Sequence, residues 1–172
     1  NLLGQMDAFV LVIRAFDDPS VPHDGPIDPA ADLATLDTEF LLNDMLSIER
    51  KLERLGDERR KGGGRDKAVI DREMQLFERM KDALAQDMPL RDVEMSDEDE
   101  KLLSGFGFLT RKPILVLLNL SDAQAAPAME YPHLSSQVVG LQGKLEMELA
   151  QLPPEEAEMF MGEYGIEELG LS

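Results

Sequence analysis

In the second half of the chain, three side chains follow an apolar run at a spacing suited to holding a nucleotide base. Asn119, Leu120 and Asp122 come directly after residues 114–118. An asparagine amide both donates and accepts hydrogen bonds, and one carboxylate can accept from two adjacent N–H groups such as those of guanine. Leu120 can pack its apolar side chain against a flat base. The same residues also fit an Asx or Ser turn after a strand, so the tetrapeptide leaves both interpretations open.

Two apolar segments predict the strands that would position these side chains. Residues 9–15 and 114–118 are largely continuous apolar runs bounded by polar residues. Such runs are typical of strands buried on both faces of a parallel sheet. Ligands of open α/β sheets bind beyond the carboxyl ends of the strands. We therefore predict an α/β fold with residues 119–122 at the binding edge of a parallel sheet, and a further short strand at about 135–140.

Between these strands the chain carries the pattern of an antiparallel helical hairpin. Apolar residues recur at steps of three or four in two segments, about 38–60 and 66–86, with Lys81 or Met80 at the intermediate turn of the second. That spacing is the heptad seam of packed helices. The seam comprises Leu41, Met45, Ile48, Leu52 and Leu55, then Ile70, Met74, Phe77, Leu84 and Met88. Three glycines at 62–64 interrupt the pattern, so we place the turn there and attribute the stripes to packing of one helix on the other.

The turn of this hairpin is rich in basic residues. Between Arg50 and Lys81 there are eleven basic and seven acidic residues, although the whole chain has a net charge of −18. A basic glycine turn favours contact with RNA phosphates through counterion release. No aromatic residue is interleaved to stack on bases, and a solvated flexible turn is the alternative. The predicted RNA- or ribosome-contacting residues are Arg59, Arg60, Lys61, Arg65 and Lys67, with Asp66 the one acidic residue among them.

Composition narrows the class of protein. A length of 172 residues and 43% hydrophobic residues support one folded domain with an insert. The sequence has no apolar run of about 18 residues and nothing like a signal peptide. The absence of cysteine excludes disulfides and thiolate metal sites and fits a cytoplasmic protein. His23 and His133 lie far apart in proline-flanked loops, so we predict no catalytic or metal-binding residue among them.

Several separated motifs occur together in the order found in one known family. Arg14-Ala-Phe16 ends the first strand, Thr38-Glu-Phe-Leu-Leu-Asn-Asp44 opens the hairpin, and Phe108-Leu-Thr-Arg-Lys-Pro113 precedes the Asn119 tetrapeptide. This order resembles the V-R-x-F, T-E-L-x-L-A-D-L, F-L-T-x-K-P and N-x-x-E motifs of the Obg-like ATPases, the YchF-type branch of the P-loop GTPase class. The resemblance runs from about Asp7 to Leu171.

The resemblance implies a partial P-loop NTPase domain of the Obg type, with a Rossmann-like parallel sheet and an inserted antiparallel coiled-coil hairpin. Residues 1–36 and 89–172 would form the nucleotide-binding domain, and residues 37–88 the insert. It further implies a ribosome-associated, ATP-hydrolysing enzyme that recognises the base through Asn119, Leu120 and Asp122. Gln142 and Gly143 would form the second base-contacting loop.

Two departures from the family pattern shape the functional prediction. The chain contains no G-x-x-x-x-G-K-[ST] phosphate loop, so the phosphates and Mg²⁺ would be held by residues that are not in this chain. Asp122 stands where the family usually has Glu. We predict ATP over GTP, because the resemblance along the chain outweighs one carboxylate that is shorter by a methylene. A GTP-specific P-loop GTPase and a non-catalytic coiled-coil adaptor for RNA or the ribosome are the alternatives.

Overall fold

The computed structural model describes residues 2–62, 64–122 and 124–164. The tertiary contacts divide the chain into two compact units. The first is formed from Asn1–Phe9, Leu33–Ile114 and Pro132–Ser136, and the second from Val10–Asp32, Leu115–Tyr131 and Gln137–Ser172. The first unit thus holds residues 89–114 as well as the hairpin. The assignment of residues 37–88 as an insert in a nucleotide-binding domain stays a prediction.

The described residues form three strands and five α-helices, with short 3₁₀ turns at Leu3–Gln5 and Leu90–Asp92. The strands are β1 (Phe9–Arg14), β2 (Ile114–Asn119) and β3 (Ser136–Leu141). The helices are α1 (Pro29–Lys61), α2 (Lys67–Leu84), α3 (Asp97–Leu103), α4 (Gly143–Leu149) and α5 (Pro154–Tyr164).

The sheet is parallel, as the apolar runs predict. Its order is β1-β2-β3. The N–H of Phe9 donates to the carbonyl of Pro113, and that of Ala15 to the carbonyl of Asn119, each at 2.9 Å. Both partners advance by six residues, so β1 and β2 run in the same direction. The amide of Leu120 likewise donates to the carbonyl of Leu141 at 2.8 Å, which carries the parallel pairing to β3.

The prediction that both β1 and β2 are buried on two faces is wrong for β1. Side chains of β1 alternate between buried and exposed, with Val10 60% and Val12 63% exposed. In β2 the alternation is between buried and half-buried side chains. The difference follows from position, because β2 is central, whereas β1 lies at an edge of the three-stranded sheet.

In the first unit, the apolar seams of α1 and α2 pack together as their spacing predicts, except that Met88 lies beyond the end of α2 and is 42% exposed. Ile48, Leu55, Ile70 and Phe77 are almost wholly withdrawn from water. The ring of Phe77 lies 5.3 Å from that of Phe106 and 6.4 Å from that of Phe108, measured between centroids. The core therefore extends beyond the two helices to the aromatic residues that follow α3.

Local signals explain where the hairpin helices begin and end. The first helix begins at Pro29, nine residues before the predicted start. Asp28 caps it by accepting from the N–H of Ala31 at 3.1 Å, and proline suits the first helical position. Gly62 and Gly64 adopt positive φ values of 69° and 75°, which end the helix at the turn. Asp66 caps α2 through the N–H of Ala68 at 2.9 Å.

A buried carboxylate fastens α1 to the segment that leads into β2. Asp44 is 1% exposed and accepts from the backbone N–H groups of Leu109 at 2.9 Å and Thr110 at 2.7 Å. The hydroxyl of Thr110 donates to the same carboxylate at 2.7 Å. Burial raises the pKa of Asp44 above its ordinary value, although these three hydrogen bonds act in the opposite direction.

Candidate functional site

A cavity of about 270 Å³ lies in the second unit beyond the carboxyl ends of β1 and β2. This is the edge where open parallel sheets bind ligands. Pockets for drug-sized ligands begin at about 300 Å³, so the space suits a group the size of a nucleobase. Its lining comprises Phe16, Asp17, Asp18 and Val21 after β1, Asn119, Leu120, Ser121 and Asp122 after β2, and Lys144 in α4.

The structure brings Asn119, Leu120 and Asp122 together at this cavity. Leu120 is 6% exposed and contributes apolar surface, whereas Asn119 is half-buried and Asp122 is exposed. Asn119 is the last residue of β2, so the strand fixes its backbone. The arrangement offers an amide, a carboxylate and an apolar side chain, the three kinds of group that hold a planar heterocycle.

The second predicted loop adjoins the cavity through Asn119. Gln142 precedes α4, which begins at Gly143. A Cβ atom at position 143 would lie 2.8 Å from the Oδ1 atom of Asn119. A side chain at position 143 would therefore displace the Asn119 amide from its present place. Neither Gln142 nor Gly143 is among the residues that line the cavity.

An arginine at the end of β1 shapes the opposite wall. Arg14 donates from Nε to the carbonyl of Phe16 at 3.1 Å, and from both terminal nitrogens to the carbonyl of Val21 at 3.2 Å. Its guanidinium also lies 4.6 Å from the centroid of the Phe16 ring. A planar guanidinium can make such contacts at once because its donors form a rigid fork. Arg14 thereby holds together both ends of the loop that carries Phe16, Asp17 and Asp18.

The electrostatics of the cavity favour N–H donors over phosphate. Three carboxylates and one ammonium group line it. Asp18 accepts from the hydroxyl of Ser20 at 2.6 Å and from its N–H at 2.8 Å. These hydrogen bonds lower the pKa of Asp18, with smaller help from Lys144 and Arg14, so the group stays charged. Carboxylates accept from N–H groups of a base and repel phosphate oxygens.

In the hairpin turn of the first unit, most of the basic residues have acidic neighbours. Arg59 pairs with Asp71 at 2.7 Å, and Arg65 pairs with Glu73 at 2.6 Å and with Glu58 at 3.2 Å. Asp57 contacts both Arg60 and Lys61. Lys67 is exposed at the first position of α2. Asp66 is the one acidic residue within positions 59–67, but the helices bring acids from outside this range to the same cations.

The sequence did not single out Phe16, Asp17, Asp18 or Lys144 as site residues. A usable signal existed for the first three, because they directly follow β1, just as the Asn119 tetrapeptide follows β2, and parallel strands end at one edge. Lys144 directly follows the predicted loop of Gln142 and Gly143, but its approach to the cavity depends on how α4 packs. Among the described residues, no group of three or more His, Asp or Glu side chains could hold a metal ion.

None of the helices in the described ranges combines the length and apolar character needed to cross a bilayer. No protein-family model matches the chain.

Relatives of known name match almost all of the chain. The ribosome-binding ATPase YchF of Bacillus subtilis is 32% identical over 180 residues, covering 98% of this chain and 48% of the relative. That of Haemophilus ducreyi is 32% identical over 178 residues, covering 99% and 48%. Obg-like ATPase 1 of Oryza sativa subsp. indica is 27% identical over 169 residues, covering 92% and 42%. The chain spans about half the length of the curated relatives it matches.

A solved structure shares the fold. The Schizosaccharomyces pombe YchF GTPase matches with a TM-score of 0.77 and 24% identity, over 94% of this chain and 47% of that one. The architecture derived above, a parallel sheet with a long helical hairpin, is therefore one seen in this group of proteins. Along nearly its whole length the chain is homologous to the YchF-type Obg-like ATPases, which confirms the resemblance that its motif order predicts.

Proposed function

We propose that the complete protein binds and hydrolyses ATP, and that this chain supplies the pocket for the adenine base. The observation that carries the proposal is the cavity beyond β1 and β2, lined by Asn119, Leu120 and Asp122. The names of the relatives, ribosome-binding ATPase and Obg-like ATPase, support the nucleotide. Residues outside this chain would hold the phosphates and Mg²⁺, and the residues here orient the base.

Within the cavity each group has a definite task. The Asn119 amide can donate to a ring nitrogen or tie the strand end in place, and Leu120 covers one face of the base. The carboxylates of Asp17, Asp18 and Asp122 can accept from an exocyclic amine. Contacts with the base also fix the position of the triphosphate for hydrolysis, which is how positioning contributes to phosphoryl transfer. Gln142 and Gly143 would approach the base or sugar from the side of α4.

Nucleotide titration of the complete protein tests this assignment. Asn119→Ala should weaken ATP binding by about 1–3 kcal/mol, the cost of leaving buried polar partners unmet. ATP should bind more tightly than GTP to the wild-type protein. Equal affinities for ATP and GTP, or an Asn119→Ala variant that binds like the wild type, would contradict the assignment. Gln151→Ala is a matched control, because Gln151 is exposed and lies outside the cavity.

We further propose that the hairpin turn contacts phosphates of ribosomal RNA. Support comes from the five basic residues around the glycine turn and from relatives that are named ribosome-binding. The ion pairs of Arg59, Arg60 and Lys61 are largely exposed, and such pairs contribute only about 0–1 kcal/mol each. Exchanging the carboxylates of these three pairs for RNA phosphates is therefore inexpensive, whereas Arg65 also pairs with the buried Glu73. A cytoplasmic location follows from this proposed partner.

Co-sedimentation with ribosomes at two salt concentrations tests the turn. Changing Arg59, Arg60, Lys61, Arg65 and Lys67 to Ser should flatten the salt dependence of binding by up to about five units of slope. A control variant with Arg72, Arg79 and Lys81 changed to Ser removes exposed cations from the stem of the hairpin. If the five-residue variant pellets like the wild type at both salt concentrations, the turn is solvated and makes no RNA contact.

A further inference from the structure

The side chain of Gln124 connects both walls of the base cavity. Its Oε1 atom accepts from the N–H of Ser121 at 3.0 Å and from the hydroxyl of Ser121 at 2.7 Å. Its Nε2 atom donates to the carbonyl of Ala15 at 2.9 Å. Ala15 immediately precedes Phe16, and Ser121 stands between Leu120 and Asp122. The Gln124 amide thus links the backbone just before Phe16 in one wall to Ser121 in the other wall.

The amide oxygen accepts from Ser121 and the amide nitrogen donates to Ala15, and no other side chain reproduces both contacts. Asparagine is one methylene shorter, a carboxylate has no donor for the Ala15 carbonyl, and lysine has no acceptor for Ser121. The turn is also closed on the backbone, where the N–H of Gln124 donates to the carbonyl of Ser121 at 3.1 Å. The distance between the β1 loop and the β2 loop is therefore set by the length of this side chain.

We propose that Gln124 is a positioning residue that fixes the width of the base cavity and thereby the affinity for the nucleotide base. The inference rests on the proposed function, since it concerns the same cavity. Gln124 is not among the residues that line the cavity. It acts through Ala15 and Ser121, which carry Phe16 on one side and Leu120 and Asp122 on the other. A base held between two flat or apolar side chains is sensitive to their separation, because dispersion contacts fade within an ångström.

The hydrogen bonds of the Gln124 side chain, called the brace below, are not made redundant by the pairing of β1 with β2. The N–H of Ala15 donates to the carbonyl of Asn119 at 2.9 Å and completes the ladder between β1 and β2. Beyond that bond the two segments diverge into loops, and among the described residues the Gln124 amide makes the next hydrogen bonds that link them. Loss of the brace should therefore loosen the loops and leave the sheet intact.

Comparing the binding of ATP and of inorganic triphosphate to the complete protein separates an effect on base binding from a general disruption of the protein. Inorganic triphosphate shares the phosphates of ATP but has no base. Gln124→Met keeps the side-chain length and removes all three hydrogen bonds, so ATP affinity should fall about tenfold, or ~1.4 kcal/mol. Affinity for triphosphate should not change. Gln124→Glu keeps the acceptor for Ser121 and should lose affinity for ATP to an intermediate extent. Gln151→Met, at an exposed position, is the matched control.

The outcomes distinguish the brace from the base site itself. If wild-type protein binds triphosphate as tightly as ATP, the base-site proposal fails and the brace fails with it. If wild type prefers ATP and Asn119→Ala weakens ATP, but Gln124→Met matches wild type, the brace alone is overturned. Equal losses of ATP and triphosphate affinity in Gln124→Met would also overturn it, since they would reveal general disruption. A selective loss for ATP, with the melting temperature of the nucleotide-free protein unchanged, would support it.

Discussion

Different kinds of contact stabilise the hairpin core within the first unit and the proposed base cavity within the second unit. In the hairpin, apolar side chains such as Ile48, Ile70 and Phe77 are 0–1% exposed and account for most of the packing. Around the cavity, the side chains of Arg14 and Gln124 donate to backbone carbonyls, and Gln124 also accepts from Ser121. The loops that they hold bury little apolar surface. Burial of apolar area stabilises a fold in proportion to area, whereas a net hydrogen bond contributes only about 1 kcal/mol. We therefore expect stability to depend on the hairpin and recognition to depend on the cavity loops.

Truncation of the hairpin core should have the largest effect. Phe77→Ala should lower the free energy of unfolding by about 3–5 kcal/mol, because it leaves a cavity among Phe106, Phe108 and the α1 seam. Urea denaturation measures this. Val69→Ala, at a position that is 51% exposed on the same helix, should change stability by less than about 0.5 kcal/mol. Similar losses in both variants would contradict the assignment of the core.

Removal of the buried carboxylate that fastens α1 should have the next largest effect. Asp44→Asn leaves an amide NH₂ facing a backbone N–H donor of Leu109 or Thr110, so stability should fall by about 1–3 kcal/mol. The raised pKa of Asp44 also means that the folded state binds its proton more tightly than the unfolded state does. This contribution to stability is present at low pH and is lost as pH rises from the ordinary value of 3.8 through the raised pKa.

Urea denaturation of Asp44→Asn and of the wild type, from below pH 3.8 to above the raised pKa of Asp44, measures this contribution to stability. The stability advantage of the wild type should be greatest at the acidic end and should narrow as pH rises. An advantage that grows with pH would show that burial does not dominate the titration of this carboxylate.

The other buried carboxylate of the hairpin should give a smaller effect with the opposite pH dependence. Glu73 pairs with Lys51 at 2.5 Å and with Arg65 at 2.6 Å. Burial tends to raise the pKa of Glu73, but the hydrogen bonds and charges of Lys51 and Arg65 outweigh it, and the pKa is lowered. Glu73→Gln should cost about 1–2 kcal/mol at neutral pH, since hydrogen bonds between charged groups are lost.

The stabilisation by Glu73 is present above its unfolded pKa of about 4.5 and should disappear as pH falls through the lowered folded pKa. Wild type and Glu73→Gln should therefore converge in stability at acidic pH, as measured by urea denaturation at a series of pH values. If the two proteins differ equally at pH 7 and at pH 3, the ion pairs do not account for the burial of Glu73.

A methyl group added beside Asn119 should have the smallest effect on stability and a selective effect on binding. In Gly143→Ala the new Cβ would lie 2.8 Å from the Oδ1 atom of Asn119, so the Asn119 amide must move. We expect a loss of ATP affinity of about three- to tenfold, equivalent to ~0.7–1.4 kcal/mol, with a nearly unchanged free energy of unfolding. Gly162→Ala is the control, because among the described residues no atom outside the local backbone of α5 lies within 4 Å of a Cβ at that position. If the two variants bind ATP with equal affinity, Gly143 does not contribute to the site.

Much of the fold was predictable because it depends on short-range patterns. Leu41, Met45, Ile48 and Leu52 lie one helical turn apart, and that spacing alone places them on one face. The run from Ile114 to Leu118 predicts a strand for the same reason. The extent of burial was less predictable. Val10 and Val12 have the composition of a buried strand, yet they are exposed because β1 lies at the sheet edge, and strand order is not encoded in the local pattern.

Residue type and spacing act over a few neighbours along the chain, so they were enough to predict the hairpin, the parallel strands and a candidate site at Asn119 to Asp122. The contacts that those residues make depend on how distant parts of the chain pack. Asp57 and Asp71 neutralise much of the basic turn, Asp44 reaches Thr110 across 66 positions, and Gln124 reaches Ala15 across 109. Such pairs depend on packing directions and on strand order, so their partners become known only when the chain has folded.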